Sequence, residues 1–478
     1  MGQEIDQIHF KHSDFQRFKK ALRCETELLH TWHENNQLAD SGFIIGFELE
    51  SWLLDQHLQP SPSNHTFIEQ FNSELVTPEL AKFNVEFNTH PRELTRNALS
   101  LVEQELSFTW KKGQLLAQQM DSSQLLAIGI LPTATPAHLC IANMTKMKRY
   151  RALNEQVLRL RHGEPLRIDI EGKQHLQLSH HDLMLESAAT SFQVHLQSPL
   201  AQAARHYNAS KIVSAPLIAI AANSPLLFNH DLWDESRIPL FEQAVAVSSH
   251  PGAANSAHPR VTFGEAYLES SMLECFQRNL DNYEVLLPLA FNTSERDLEH
   301  LRLHNGTIWR WNRPLIGFDQ QGQVHLRIEH RPLPAGPTIV DMVANAAFYF
   351  GLTHALAKQT PAPEAKLPFH EAKKNFYCAA KHGLEAEILW MDGKQHKIQS
   401  LILEQLLPLA QQGLQCLNID EADQQHFLGI IEQRALNKQN GAHWQRAFIL
   451  KHGNDMQQLT AHYAERQNSS VPVHQWSL

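Results

Sequence analysis

The stretch Gly46-Phe47-Glu48-Leu49-Glu50-Ser51-Trp52 decides how this chain is read. In a β-strand, residues i and i+2 share a face. Glu48 and Glu50 therefore lie on one side, with Phe47 and Leu49 on the other. Three further segments repeat the pattern. In residues 83–91, Asn84, Glu86 and Asn88 oppose Phe83, Val85 and Phe87. In residues 191–197, Ser191, Gln193, His195 and Gln197 oppose Phe192, Val194 and Leu196. In residues 325–332, His325, Arg327, Glu329 and Arg331 oppose Leu326, Ile328 and His330. Any one of these reads as a half-exposed strand with its polar face in water. The hairpin expected around Gly172, with Arg167, Asp169 and Glu171 outward, fits that description. Together the four do not: exposed faces favour Thr, Lys and mixed charge, whereas these concentrate Glu, His, Gln and Asn.

If the faces converge, electrostatics dictates company for them. Two carboxylates about 4 Å apart repel by roughly 4 kcal/mol at an effective dielectric near 20. Several glutamates in one cleft stay ionised only beside cations. Hard oxygen donors with one imidazole suit Mg²⁺ or Mn²⁺, and the lack of Cys ligands argues against structural zinc. Such ions flanked by arginines are a device for triphosphate chemistry. No P-loop, GxGxxG, HExxH or GxSxG motif occurs. Gly172-Lys173 and Gly393-Lys394 are each followed by Gln, so neither ends a P-loop. A nucleotide site in this chain is expected on a sheet.

The bulk properties narrow the class. Lys plus Arg number 41 and Asp plus Glu 51 over 478 residues, a net charge of −10, which gives no basic footprint for nucleic acid. Five cysteines (Cys24, Cys140, Cys275, Cys378, Cys416) lie far apart without a CxxC pair, as in a reducing cytoplasm. The N-terminal MGQEIDQIHFKH has no apolar core of a signal peptide, and Gly2 is followed by Asp6 where myristoylation wants Ser or Thr. The longest apolar run, residues 215–222, falls far short of the roughly 20 residues of a span. A cytoplasmic protein without membrane or nucleic-acid partners is expected; homo-oligomerisation is left open.

Helices are expected over residues 14–40, 94–120, 210–222 and 341–357, the last with Asp341 near its positive end. A short strand is expected over 125–130, and a helical region over 371–478 after the Pro-containing stretch 358–368. Strands and helices mix without regular βαβ alternation, which argues for an α+β fold.

The quoted motifs resemble a known family. GFELESW, followed by Glu79 and Glu86 in PELAKFNVEFNTHP, looks like the entry to glutamate–cysteine ligases of the second, plant-and-bacterial type and their carboxylate–amine ligase relatives. The likeness continues through IGILPTAT (128–135), KRYRALNE (148–155), LESAATSFQVHLQ (185–197), AANSPLLF (221–228) and LWDESRIPLFEQA (232–244). PRVTFG (259–264), LHNGTIWRWNRP (303–314), HLRIEHRPLPAGPTIVD (325–341) and NFYCAAKHGLEA (375–386) follow in order.

The resemblance implies a glutamine-synthetase-like fold, a curved antiparallel sheet with flanking helices. It implies an N-terminal helical lead-in (1–40), a catalytic domain (41–358) and a helical C-terminal region (359–478) packed on it. By position Glu48, His195 and Glu329 look like ligands of one metal near the ATP γ-phosphate, and Glu50, Glu79 and Glu86 like ligands of another. Arg331 and Glu329 look catalytic, and Arg331, Arg310 and Arg313 phosphate-binding. Arg237, Arg260, Gln193 and Thr89 look substrate-binding. Glu79 equally reads as the first turn of a helix after Pro78, and Asn223 as a helix end. Two departures bear on the acceptor: the family's His-x-His-x-Gly reads Gln193-Val194-His195-Leu196-Gln197 here, and Leu131 stands where Gly-Thr-His-Pro has His. The implied activity is ATP-dependent joining of a glutamate-like carboxylate to an amine, cysteine foremost, with Mg²⁺ or Mn²⁺. A phosphotransferase and a non-catalytic ATP- and metal-binding module are the competing readings. Replacing Glu48, Glu50 or Glu329 by Gln is expected to remove most activity while leaving the fold intact or even steadier in metal-free buffer.

Overall fold

The computed structural model describes Ile5 and residues 7–120, 123–247, 258–291 and 293–478. Gly2 and Asp6, the positions read for N-terminal lipidation, lie outside the described residues. Six strands form the path of the main sheet: β1 (Ile44–Leu54), β2 (Val76–Pro78), β3 (Asn84–Asn88), β4 (Phe192–Gln197), β5 (Asn312–Phe318) and β6 (Val324–His330). Their order is β5-β6-β4-β1-β3-β2, and every pairing is antiparallel. Two short strands, Arg92–Glu93 and Gln124–Leu126, also pair with β1. Mixed with long helices, this curled sheet is the α+β architecture expected.

Register turns the alternation into a surface. Glu50 lies opposite Glu86, and Glu48 opposite Asn88 on one side and Gln193 on the other. Glu329 lies opposite both His195 and Arg313. The other face is apolar. Phe47, Leu49, Val85, Phe87, Phe192, Val194 and Leu196 are buried in one large cluster, and the Phe47 and Phe192 ring centroids are 4.9 Å apart.

Helices α2 (Ala98–Gln119), α3 (Leu200–Ala221) and α4 (Ile339–Ala357) cover that apolar face, α5 (Leu407–Cys416) and α6 (Glu421–Asn437) stack on α4, and α1 (His12–Glu34) packs in a separate apolar cluster with Ile316, Leu326 and Ile328. Most of α3 and nearly all of α4 are buried, as sequences apolar on all sides must be. By length and composition α4 is apolar enough to cross a membrane, yet 89% of its apolar window is buried among its neighbours, so it serves as a core helix. Thr338 caps α4, its hydroxyl accepting the Asp341 N–H at 3.2 Å. Asp341 receives a 2.8 Å ion pair from Arg434 of α6, both fully buried. Where α4 and α5 cross, their backbones touch. A Cβ on Gly351 would stand 2.3 Å from the Ala410 carbonyl oxygen, and one on Gly413 would stand 1.9 Å from that of Gly351.

Two expectations are corrected. The strand read over 125–130 pairs only through Leu126, although Ile128 and Ile130 stay buried. The reason is steric: from Glu50 onward that edge of β1 is taken by Ser191 and β4. The C-terminal region, read as helical, also contains a hairpin, Glu387–Leu389 with Gln395–Lys397. Its turn uses Asp392, whose carboxylate accepts the Lys394 N–H, and Gly393 at φ 76°.

Candidate metal and phosphoryl-transfer site

Glu48, His195 and Glu329 each present a ligand atom within 4.8 Å of the others, and so do Glu50, Glu79 and Glu86. The two groups share one sheet face because β1 carries a glutamate of each. Glu79 is not helical: it follows β2 in a loop and reaches Glu86 and Glu50.

The first group is neutralised by the protein itself. Arg313 grips Glu329 bidentately at 2.6 and 2.8 Å, and Arg331 Nη1 adds a bond of 3.0 Å. Burial opposes ionisation of Glu329, but the two guanidiniums outweigh it and hold the carboxyl well below its usual range. Glu48 is likewise opposed by burial, yet His195, with Nε2 3.1 Å from Oε1, holds it down at about 2. Arg327 Nε donates to His195 Nδ1 at 3.0 Å.

The second group lacks this support. Burial, then the charge of Glu48, pushes Glu86 up to about 7. Burial with Glu86, Glu50 and Glu186 raises Glu79 far above its ordinary value. Glu50 is raised by burial despite Arg331 and Arg237, and accepts the Ser191 N–H at 2.6 Å. Thr77 and Asn88 donate to Glu86 at 3.3 and 2.9 Å.

Gln193 bridges the groups. Its Nε2 donates to Glu50 at 2.8 Å, and its Oε1 accepts from Arg331. The replacement of the first motif histidine thus has a job: a two-headed amide links Arg331 to Glu50. Gln197 donates to Ser41 Oγ at 2.6 Å, and Leu131 is fully buried in a second apolar cluster.

The remaining sequence candidates divide. Arg237 lies buried behind Glu50, donating to Glu235 at 3.2 Å and the Pro332 carbonyl at 3.1 Å. The Thr89 hydroxyl accepts the Phe47 N–H at 2.9 Å, which fixes β1. Arg260 and Arg310 belong to another neighbourhood. Both guanidiniums lie over the Tyr283 ring, 5.9 and 5.4 Å from its centroid. Arg260 donates to the Thr307 and Glu284 carbonyls and Arg310 to Asn279. None of these partners is a site carboxylate. Asn223 does not cap a helix but knots the core, donating to Ala335 O and Tyr463 at 2.8 Å each.

Sequence reasoning missed Glu186. It belongs to the 3₁₀ turn Leu183–Ala188, and burial with the nearby Glu50 charge pushes it up to about 8. It lies within a quoted motif, but alternation tests only strands. Arg327 was placed on the polar face and given no role; its bond to His195 supplies one.

Residues 44–459 match the model of glutamate-cysteine ligase family 2 (GCS2), and the chain belongs to that family, whose members are ATP-dependent carbon–nitrogen ligases. Among solved structures it is similar to a glutamate–cysteine ligase (GshA) of Francisella tularensis in complex with AMP. The two are 12% identical with a TM-score of 0.57, over 92% of this chain and 97% of that one, a likeness of fold. Weaker likenesses, on which nothing rests, are to a bifunctional glutathione synthetase of Pasteurella multocida (12% identity, 95% and 55% coverage, TM-score 0.46) and the ligase PafA in complex with the ubiquitin-like protein Pup (10%, 91% and 77%, 0.40). No curated protein matches.

Proposed function

We propose that this chain joins the γ-carboxylate of glutamate to an amine, with cysteine the leading acceptor, at the expense of ATP and in the presence of Mg²⁺. The observation that carries this reading is the convergence of Glu48/His195/Glu329 and Glu50/Glu79/Glu86 on one face beside Arg331 and Arg313.

The donors fit a hard divalent cation. Five carboxylates and one imidazole offer oxygen-rich coordination, and three of the acids are driven toward neutrality when no cation balances them. Mg²⁺ or Mn²⁺ held by these residues would supply charge neutralisation for the phosphates. In the first chemical step, a substrate carboxylate oxygen bonds to the γ-phosphorus and the bond to ADP breaks. In the second, the nitrogen of the neutral amine bonds to the acyl carbon, the acyl carbon–oxygen bond to phosphate breaks, and phosphate leaves along with a proton from the nitrogen. Arg331 is a positively charged group at the junction of the two carboxylate sets, placed to stabilise charge on the transferring phosphoryl group. Gln193 and Glu329 fix its direction. No covalent enzyme intermediate is needed, because positioning and electrostatics carry the rate. The five cysteines are unpaired, in keeping with a cytoplasmic setting.

The test is ADP formation with Mg²⁺, ATP, glutamate and a panel of amines, with products identified by mass. The reading predicts ADP release that needs both glutamate and amine, and a γ-glutamyl amide. ADP release with glutamate alone and a stable phosphorylated product would mark a phosphotransferase. ATP binding without turnover on any amino acid would leave only a binding module.

A further inference from the structure

Arg327 aims a donor at the one imidazole of the first carboxylate group. Its Nε–H reaches His195 Nδ1 at 3.0 Å. Register makes this contact possible: on β6, Glu329 lies opposite His195 of β4, and Arg327 stands two residues earlier on the same face. The guanidinium is seated against β5. A Cβ on Gly317 would stand 2.6 Å from Arg327 Nη1, so the glycine keeps that place open.

The direction of the bond fixes the proton on the ring. A guanidinium does not give up its protons in a protein, so the nitrogen facing it must carry the lone pair. A neutral imidazole with a bare Nδ1 has its single proton on Nε2. Nε2 lies 3.1 Å from Glu48 Oε1, is buried, and makes no aligned hydrogen bond. It is therefore the ring atom that a cation among Glu48, His195 and Glu329 would meet. A metal asks for the opposite arrangement. The nitrogen that binds it must be bare, and the other nitrogen then presents its N–H to an acceptor. Here that other nitrogen is Nδ1, and it would present N–H to N–H. The Arg327–His195 bond and a cation on His195 exclude each other.

We propose that Arg327 is a positioning residue that holds His195 in its Nε2–H form, and that a cation takes His195 as a ligand only by breaking this bond. The Nε2 proton then passes to solvent and Nδ1 takes one up. This rests on the metal role proposed for the first group and adds to it a competitor built into β6.

The test reads the ring and the metal separately. Nitrogen-15 spectra of His195, identified by its loss in His195→Gln, are recorded for metal-free protein and for protein holding Mg²⁺, a non-hydrolysable ATP analogue and glutamate. Mn²⁺ binding is measured calorimetrically in wild type, Arg327→Met and Glu48→Gln, the last marking the share of the first group. Expected are a proton on Nε2 in metal-free wild type and on Nδ1 in the loaded protein. Metal-free Arg327→Met should show both ring forms, and its first group should bind Mn²⁺ at least tenfold more tightly. A metal-free proton on Nδ1, an unchanged ring in loaded wild type, or first-group binding no tighter in Arg327→Met would each overturn the assignment. Tighter binding with the wild-type ring pattern retained would trace the effect to charge alone and overturn it as well. Neither readout needs turnover, so the expected changes in a protein that forms no ADP would keep the role of Arg327 and discard the ligase reading.

Discussion

The two carboxylate groups lie side by side on one sheet face and are prepared in opposite ways. Glu48 and Glu329 are held ionised by His195, Arg313 and Arg331. Glu50, Glu79 and Glu86 are pushed toward their neutral forms by burial and by one another. One half of the face has its charge balanced by the protein's own cationic groups, and the other has not. Sequence treats the glutamates of Glu48-Leu49-Glu50 as twins; the cross-strand neighbours make them different. Glu48 has His195 beside it, and Glu50 has Glu86 opposite.

The largest effect should come from breaking the prepared half. Glu329→Gln strips two guanidiniums of their buried partner, so turnover should fall at least a thousandfold. The fold should lose about 3–5 kcal/mol, as removal of one member of a buried pair does, measured by denaturant unfolding in metal-free buffer. This replaces, for Glu329, the expectation that neutralising any of the three glutamates leaves the metal-free fold intact or steadier. For Glu50, whose ionised form burial opposes, the expectation is kept; a Glu329→Gln protein as stable as wild type would return the two halves to equivalence.

Arg331→Lys keeps the charge and loses the planar guanidinium whose Nη1 reaches both Glu329 and Gln193. Turnover should drop on the order of a hundredfold with the KM for ATP changed less than threefold. An effect confined to the ATP KM would make Arg331 a ground-state binder.

The unprepared half should show itself in pH. Glu86 at about 7 and Glu186 at about 8 both lie above their ordinary value of 4.5. A carboxyl raised by folding contributes stability that is full below about 4.5 and lost as pH rises through the folded value. Metal-free protein should therefore melt at falling temperature between about pH 4.5 and 8 and level off above, and Mg²⁺ should flatten the decline. Glu86→Gln should raise the metal-free melting temperature at pH 8 by on the order of 2 °C while removing most activity. Thermal melts across pH with and without Mg²⁺ decide this, and a flat metal-free profile would contradict it.

The smallest effect is expected outside both halves. Arg310→Gln should cost stability through its bond to Asn279 and leave the KM for ATP within twofold, read from melting and steady-state kinetics. A tenfold rise in that KM would restore Arg310 to the nucleotide site.

Much of this was legible before the structure, because a period of two is a local property. The polar faces of β1, β3, β4 and β6, the six ligand candidates and the placement of Arg331 beside Glu329 all follow from alternation and motif order. What alternation cannot give is adjacency. That His195 faces Glu48 and Arg313 faces Glu329 depends on register between strands more than a hundred residues apart in one case and sixteen in the other. Glu186 was hidden by its 3₁₀ turn, where the strand test does not apply. The positions of Arg260 and Arg310 were not legible, because a shared motif locates a residue in the chain and not its side chain in space; Tyr283 with backbone carbonyls surrounds Arg260, and Tyr283 with Asn279 surrounds Arg310.

The contact of Gly351 with Gly413 carries a consequence for the order in which the molecule is made. Translation delivers the whole acidic face by Arg331 and α4 by Ala357. The helix whose backbone rests directly on α4 does not emerge until some fifty residues later. Over that interval the nascent chain holds a finished set of mutually repelling carboxylates on a sheet whose rear packing is incomplete. The ribosome thus delivers α5, one part of that backing, only after the residues of the acidic face are complete.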